Sequence, residues 1–121
     1  MNHFAITSTL RSLMLQDKNI KKLVGHKIFP LQAPLNTEGD FILYQRDGYA
    51  TSNTKMGVFQ QEPLVFINVV SDDYDRSQEL AGLVHDCLVG NYDTMQISLE
   101  DSTEDITDKK FIQVLLLKIK L

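Results

Sequence analysis

Phe111-Ile112-Gln113-Val114-Leu115-Leu116-Leu117-Lys118-Ile119-Lys120-Leu121 reads as one long strand. Strand side chains alternate between the two faces of a sheet. Phe111, Leu115, Leu117, Ile119 and Leu121 point one way, and Ile112, Val114 and Leu116 the other. Both sets are apolar. A chain of 121 residues has enough helix to cover one face of a sheet but hardly two. The second face is therefore expected to meet another copy of the same protein.

Upstream of this strand, Met95–Leu99 alternates as a half-buried strand, and the acidic stretch 100–110 links it to the final strand as a hairpin. Before it, Leu80, Leu83, Val84, Cys87 and Leu88 form an apolar stripe at helical spacing. Asp72 or Asp73 caps that helix, Asp75 lies in its first turn, and Gly90 closes it. The packing expected of this stripe makes Leu83→Asp incompatible with folding. Phe41–Arg46 and Leu64–Val70 are further strands, and His26–Phe29 is a short one ended by Pro30. Asp47–Glu62 between the two longer strands is either a hairpin arm with its tip near Asn53-Thr54-Lys55 or a mobile loop, and the arm is the preferred reading. Residues 3–16 read as a helix through Phe4, Leu10, Leu13 and Met14. Ile20, Leu23 and Val24 make a second short helical turn stopped at Gly25. The expected fold is α+β. A mostly antiparallel sheet of four to five strands carries helices on one face, in the order α-α-β-β-β-α-β-β, within one domain spanning 1–121.

Composition narrows the function. A net charge of -4 argues against nonspecific nucleic-acid binding, which needs a basic face. A single cysteine rules out an internal disulfide and a multi-cysteine zinc site. The start of the chain lacks the basic and apolar regions of a signal peptide, and the apolar runs fall short of the roughly 20 residues that span a bilayer. His3, His26 and His85 have no metal-ligand spacing among themselves or with Cys87. His85 and Cys87, two apart on a helix, point away from each other, and Cys87 belongs to the apolar stripe. Asp72, Asp73 and Asp75 read as helix capping. Glu100, Asp101, Glu104, Asp105 and Asp108 lack the glycine and spacing of a calcium loop and read as a solvated turn. No phosphate-binding loop, nucleophile elbow or zinc-protease helix is present. The expectation is a non-enzyme without cofactor or metal.

The second sheet face is more informative. If odd-numbered strand residues face the helices, then Ile42, Tyr44, Arg46, Phe66, Val70, Ile112, Val114 and Leu116 share the opposite side. Aromatic, arginine and aliphatic side chains together have the composition of an interaction surface. The oligomer interface is expected to use Tyr44, Arg46, Phe66, Ile112, Val114 and Leu116.

Leu23-Val24-Gly25-His26-Lys27-Ile28-Phe29-Pro30, then Ala33-Pro34, then Phe41-Ile42-Leu43-Tyr44-Gln45-Arg46 resembles the tail-completion, or tail-terminator, proteins of long-tailed bacteriophages and prophages. That family has a short helix ending in "LVG", a strand running into "YP" and then "P", and a strand like "YVVYQR". The later order of strand, helix with "ELAG", strand, acidic hairpin and strand also corresponds, so the resemblance spans Phe4 to Leu121. Phe29 replaces the family's Tyr, and residues 50–61 are polar and glycine-poor. The resemblance implies a structural subunit of a ring, a homo-hexamer, at the head-proximal end of the tail tube. That ring stops tube growth and joins tail to head. It also implies tail tube and head connector proteins as partners, a place in the virion tail after assembly in the host cytoplasm, and no catalytic residue. DNA passes through such a ring, and Glu100, Asp101, Glu104, Asp105 and Asp108 are candidates to line its lumen, where negative charge keeps DNA from sticking. The alternative is a small protein-binding adaptor that uses an exposed sheet edge.

Overall fold

The computed structural model describes residues 5–53, 59–92 and 95–120, and only the backbone of residues 47–53 and 59–61. His3, Phe4, Leu121 and the arm tip at 54–58 lie outside the described residues. The elements are α1 (Ile6–Gln16), α2 (Lys18–Val24), β1 (Ile28–Pro30), β2 (Phe41–Asn53), β3 (Phe59–Ser71), α3 (Tyr74–Leu88), β4 (Gly90–Asn91), β5 (Gln96–Thr107) and β6 (Lys110–Lys120). The strands form one sheet in the order β1-β2-β3-β6-β5-β4. Among the described residues, only the β1–β2 pair is parallel. The fold is the expected α+β class, with six strands rather than four to five. The added strand is β4, whose two residues pair with Ile97 and Gln96. Two residues carry no periodicity for a sequence to show.

Each helix forms for local reasons. In α1, Ile6, Leu10 and Met14 recur every four residues, which places them on one face, and all three are buried. Asp17 ends that helix and caps the next: its carboxylate accepts from the backbone N–H of Asn19 and Ile20 at 2.9 and 3.0 Å. Gly25 takes a φ of 63° after α2, a conformation that favours glycine, while its N–H donates to Lys21 O at 2.7 Å. Of the two aspartates expected at the start of α3, Asp73 is the cap, accepting from Arg76 N at 3.0 Å. Val89, not Gly90, is the C-cap.

Leu80, Val84 and Leu88 of α3 lie on the sheet and are fully buried, each stabilising the fold by ~1.5–3 kcal/mol. Leu83 and Cys87 flank this row and are only partly buried. Beneath the helices, Leu115, Leu117 and Ile119 of β6 pack beside Val65, Ile67 and Val69 of β3. Gln113 continues the β6 row and is buried among them. Its Nε2 donates to Ser77 Oγ at 3.2 Å and to Glu104 Oε2 at 2.7 Å, so its desolvation is compensated.

The start of β2 is fastened to α3 by a buried carboxylate. Asp40 accepts from Ser71 Oγ at 2.8 Å and from Arg76 Nε and Nη2, both at 3.1 Å. A two-pronged guanidinium–carboxylate contact fixes direction as well as distance. Between 47 and 62 the backbone settles the choice between arm and loop. β2 and β3 stay paired out to Asn53 and Phe59, with a register shift between Arg46 and Gly48.

Candidate functional site

The surface of interest is the sheet face turned away from the three helices. Residues paired across neighbouring strands share a face, so the registers assemble it row by row. Phe41, Val70, Ile112 and Asp105 form one row. Phe29, Leu43, Asn68, Val114 and Thr103 form the next. Gln45, Phe66, Leu116 and Asp101 form a third, and Leu64, Lys118 and Ser98 a fourth.

This grid corrects the parity expected for β2. Ile42 pairs with Val69, Tyr44 with Ile67 and Arg46 with Val65, all on the helix side. Tyr44 is 8% exposed and belongs to the core. Arg46 lies at the end of the same row, lining a hollow with Thr7, Pro30, Leu31, Tyr44 and Gln45. Neither belongs to the open face. The cause is that β2 pairs even-numbered residues with the odd-numbered core residues of β3. Phe66, Ile112, Val114 and Leu116 do share the open face. The sequence reading missed Phe29, Phe41, Leu43 and Leu64 there. Their faces follow only from the register of each pairing.

The centre of this face is apolar and half-buried, and its margins are charged. Lys118 Nζ stands 3.1 Å from Glu62 Oε2 and 3.8 Å from Glu100 Oε1, bridging three strands. The hydrogen bond to Glu62, helped by the nearby Glu100, holds the Lys118 ammonium above its ordinary pKa. At the opposite end, Lys110 pairs with Asp72 at 2.7 Å and stands 6.0 Å from the Phe41 ring centroid. Phe41 and Val70 in this row are 8% and 4% exposed. The same hydrogen bond holds the Asp72 carboxyl below its usual range. In the middle, the side-chain oxygen of Asn68 is buried without a hydrogen-bond partner. An apolar centre with a charged rim is the anatomy of a protein–protein interface.

The five acids proposed for a channel do not share one surface. Asp101 and Asp105 lie on the open face, and Glu104 lies on the helix side. Hydrogen bonds from Gln113 and Tyr74 hold the Glu104 carboxyl below its usual range. Glu100 is the extra residue at the register shift between Leu99 and Asp101. Asp108 sits in the β5–β6 turn with a φ of 50°.

The groups weighed for chemistry are dispersed. Cys87 Sγ contacts Leu13 O at 3.5 Å, and burial pushes its thiol up to about 11. His85 Nδ1 lies 3.2 Å from Asp86 Oδ1 on the exposed side of α3. Asp73 caps, Asp72 pairs with Lys110, and Asp75 occupies the first helical turn. Among the described residues, no three His, Cys, Asp or Glu side chains are gathered as a metal site. No helix there is long and apolar enough to cross a membrane.

No protein-family model and no curated protein matches this sequence. Among solved structures, the chain is similar to one in the virion of a native gene transfer agent (GTA) particle. The two are 16% identical over 92% of this chain and 90% of that one, with a TM-score of 0.73. At that identity the likeness concerns the fold.

Proposed function

We propose that this protein is a structural virion component, a tail-completion or tail-terminator subunit. In this reading copies assemble into a homo-hexameric ring at the head-proximal end of a tail tube and help join tail to head. The observation that carries the reading is the apolar, only partly buried face bearing Phe66, Ile112, Val114 and Leu116, turned away from the helices. Exposed apolar patches of this kind mark interaction sites. Two further features support it. The β2–β3 arm extends past the sheet body, as a subunit contacting a neighbouring layer needs, and an isolated two-stranded ribbon is marginal without such a contact. The fold is also shared with a chain of a gene transfer agent virion.

The ring partners in this proposal are the tail tube protein, the head connector protein and further copies of the chain, with DNA passing through the centre. The acids divide over both faces of the hairpin, so a channel lined by all five is not what this geometry favours. No residue is assigned a catalytic role.

Negative-stain microscopy and mass photometry of the purified chain, alone and mixed with tail tubes, test the proposal. Closed rings, or caps at one end of each tube, are expected. A chain that stays monomeric and leaves tube ends bare contradicts it.

A further inference from the structure

The two edges of the sheet are built differently. At the β1 edge, every outward backbone group is already engaged. Ile28 N–H donates to His26 O at 2.8 Å, Ile28 O accepts from Arg11 Nε at 3.1 Å, Pro30 has no N–H, and Pro30 O accepts from Gln32 N at 2.6 Å. That edge is closed to any further strand.

The β5 edge is open. β4 covers only Gln96 and Ile97, and residues 99–109 are all exposed. Ser102, Glu104 and Ile106 alternate along the strand and turn their backbone groups outward. Two of those three N–H groups are held by acceptors that can swing away. Ser102 N donates to Asp101 Oδ1 at 2.9 Å and Ile106 N to Asp105 Oδ1 at 2.7 Å, in each case the preceding residue's side chain. The outward carbonyls have no partner among the described residues.

The side chains flanking this edge specify what it takes. On one side stand Asp101 and Asp105, four positions apart with Thr103 between them. On the other, Ile106 is 60% exposed beside Tyr74 and Phe111, whose rings meet edge to face at 5.6 Å. These residues, with Glu104 and Asp105, line an open hollow of about 370 Å³. We infer that the outer edge of β5 receives an extended segment of another protein by strand addition. Its lysines or arginines, four residues apart, draw Asp101 and Asp105 off the backbone, and its alternate apolar residues cover Ile106 and the Tyr74–Phe111 hollow.

A second copy of this chain does not fit. β5 against β5 sets acid against acid, β1 is closed, and β4 has two residues. The arm sequence from 45 to 63 carries Arg46 and Lys55, nine residues apart, not two cations four residues apart. The occupant is therefore a different chain. This inference stands apart from whether copies form a ring.

The test uses the ¹⁵N-labelled full chain and the synthetic peptide Thr-Lys-Val-Thr-Val-Lys-Val-Thr, capped at both ends, with a second peptide carrying Glu for both Lys. Amide exchange is followed at Ser102, Glu104 and Ile106. The lysine peptide is expected to slow exchange at these amides and not at Ile28. The effect fades in about 0.5 M sodium chloride, where the screening length falls to roughly 4 Å. The glutamate peptide is expected to do nothing. In Asp101→Asn/Asp105→Asn, whose fold the same spectra report, preference for the lysine peptide drops about tenfold. Equal protection by both peptides, or no protection by the lysine peptide at millimolar concentration, overturns the inference.

Discussion

Asn68 is the residue least at home in its surroundings. It lies between Leu43 and Val114 with its side-chain oxygen buried and unpaired. An unmet buried acceptor costs ~1–3 kcal/mol. Asn68→Val is therefore expected to stabilise the isolated chain by about 1 kcal/mol in urea unfolding. In the proposed ring, where a neighbouring copy donates to this oxygen, the same change is expected to weaken self-association. Loss of stability with unchanged association would show that Asn68 has only an internal role. Cys87 makes a second residue-scale prediction. Its thiol is raised from 9.0 to about 11 chiefly by burial. A folded-state pKa above the unfolded one gives stability that is complete below about pH 9 and is lost as pH rises toward 11. Wild-type protein should therefore lose stability over that window more steeply than Cys87→Ala, and parallel profiles would contradict the assignment. The stripe on which Cys87 lies was legible from its spacing, but its place at the margin of the core, only partly buried, was not. Nor was the environment of Gln113. Its partners, Glu104 and Ser77, stand 9 and 36 residues away in sequence and meet it only when the sheet forms.

Among the elements, α3 was the most legible, because its cap, acidic first turn and spacing all point to the same helix. Packing then separates residues that spacing treats alike. Leu80 is fully buried, whereas Leu83 stands at the junction with α2, beside Leu23, Lys22 and Glu79. Leu80→Ala should cost ~2–5 kcal/mol in chemical denaturation. Leu83→Asp, expected from spacing alone to prevent folding, should instead leave a folded but weakened protein. Identical losses at the two positions would refute this division of the stripe. Asp73→Ala should remove about 1 kcal/mol of capping, and an unchanged midpoint would count against the cap. β2 was legible as a strand but not in its facing. Phe41, Ile42, Leu43 and Tyr44 are all apolar or aromatic, so alternation carries no signal, and only the pairing of Ile42 with Val69 sets which side each takes. The dissimilarity of the two sheet edges was invisible for a similar reason. It depends on Arg11 reaching Ile28 O across 17 residues and on aspartates folding back onto their own strand.

At the scale of the molecule, three helices cover one side of a sheet whose other side keeps an apolar centre and a charged rim. The chain has built a stable core on the helix side alone, with Leu117, Ile119 and Ile67 fully buried. On the open side Phe41 and Val70 are buried as well, while Phe66, Ile112, Val114 and Leu116 keep part of their surface free for assembly. Val114 marks the middle of that side, paired with Asn68 and Thr103. Replacing it with aspartate should leave the melting temperature within a few degrees of wild type, as for a side chain outside the core, while placing an unpaired charge at the centre of any contact between copies. Sedimentation velocity across a wide concentration range, on wild type and Val114→Asp together, reads directly whether copies meet through the open face. Wild type is expected to associate as concentration rises, and the folded variant to stay monomeric. A wild type that remains monomeric at every concentration, or a folded variant that associates equally well, would contradict such a contact.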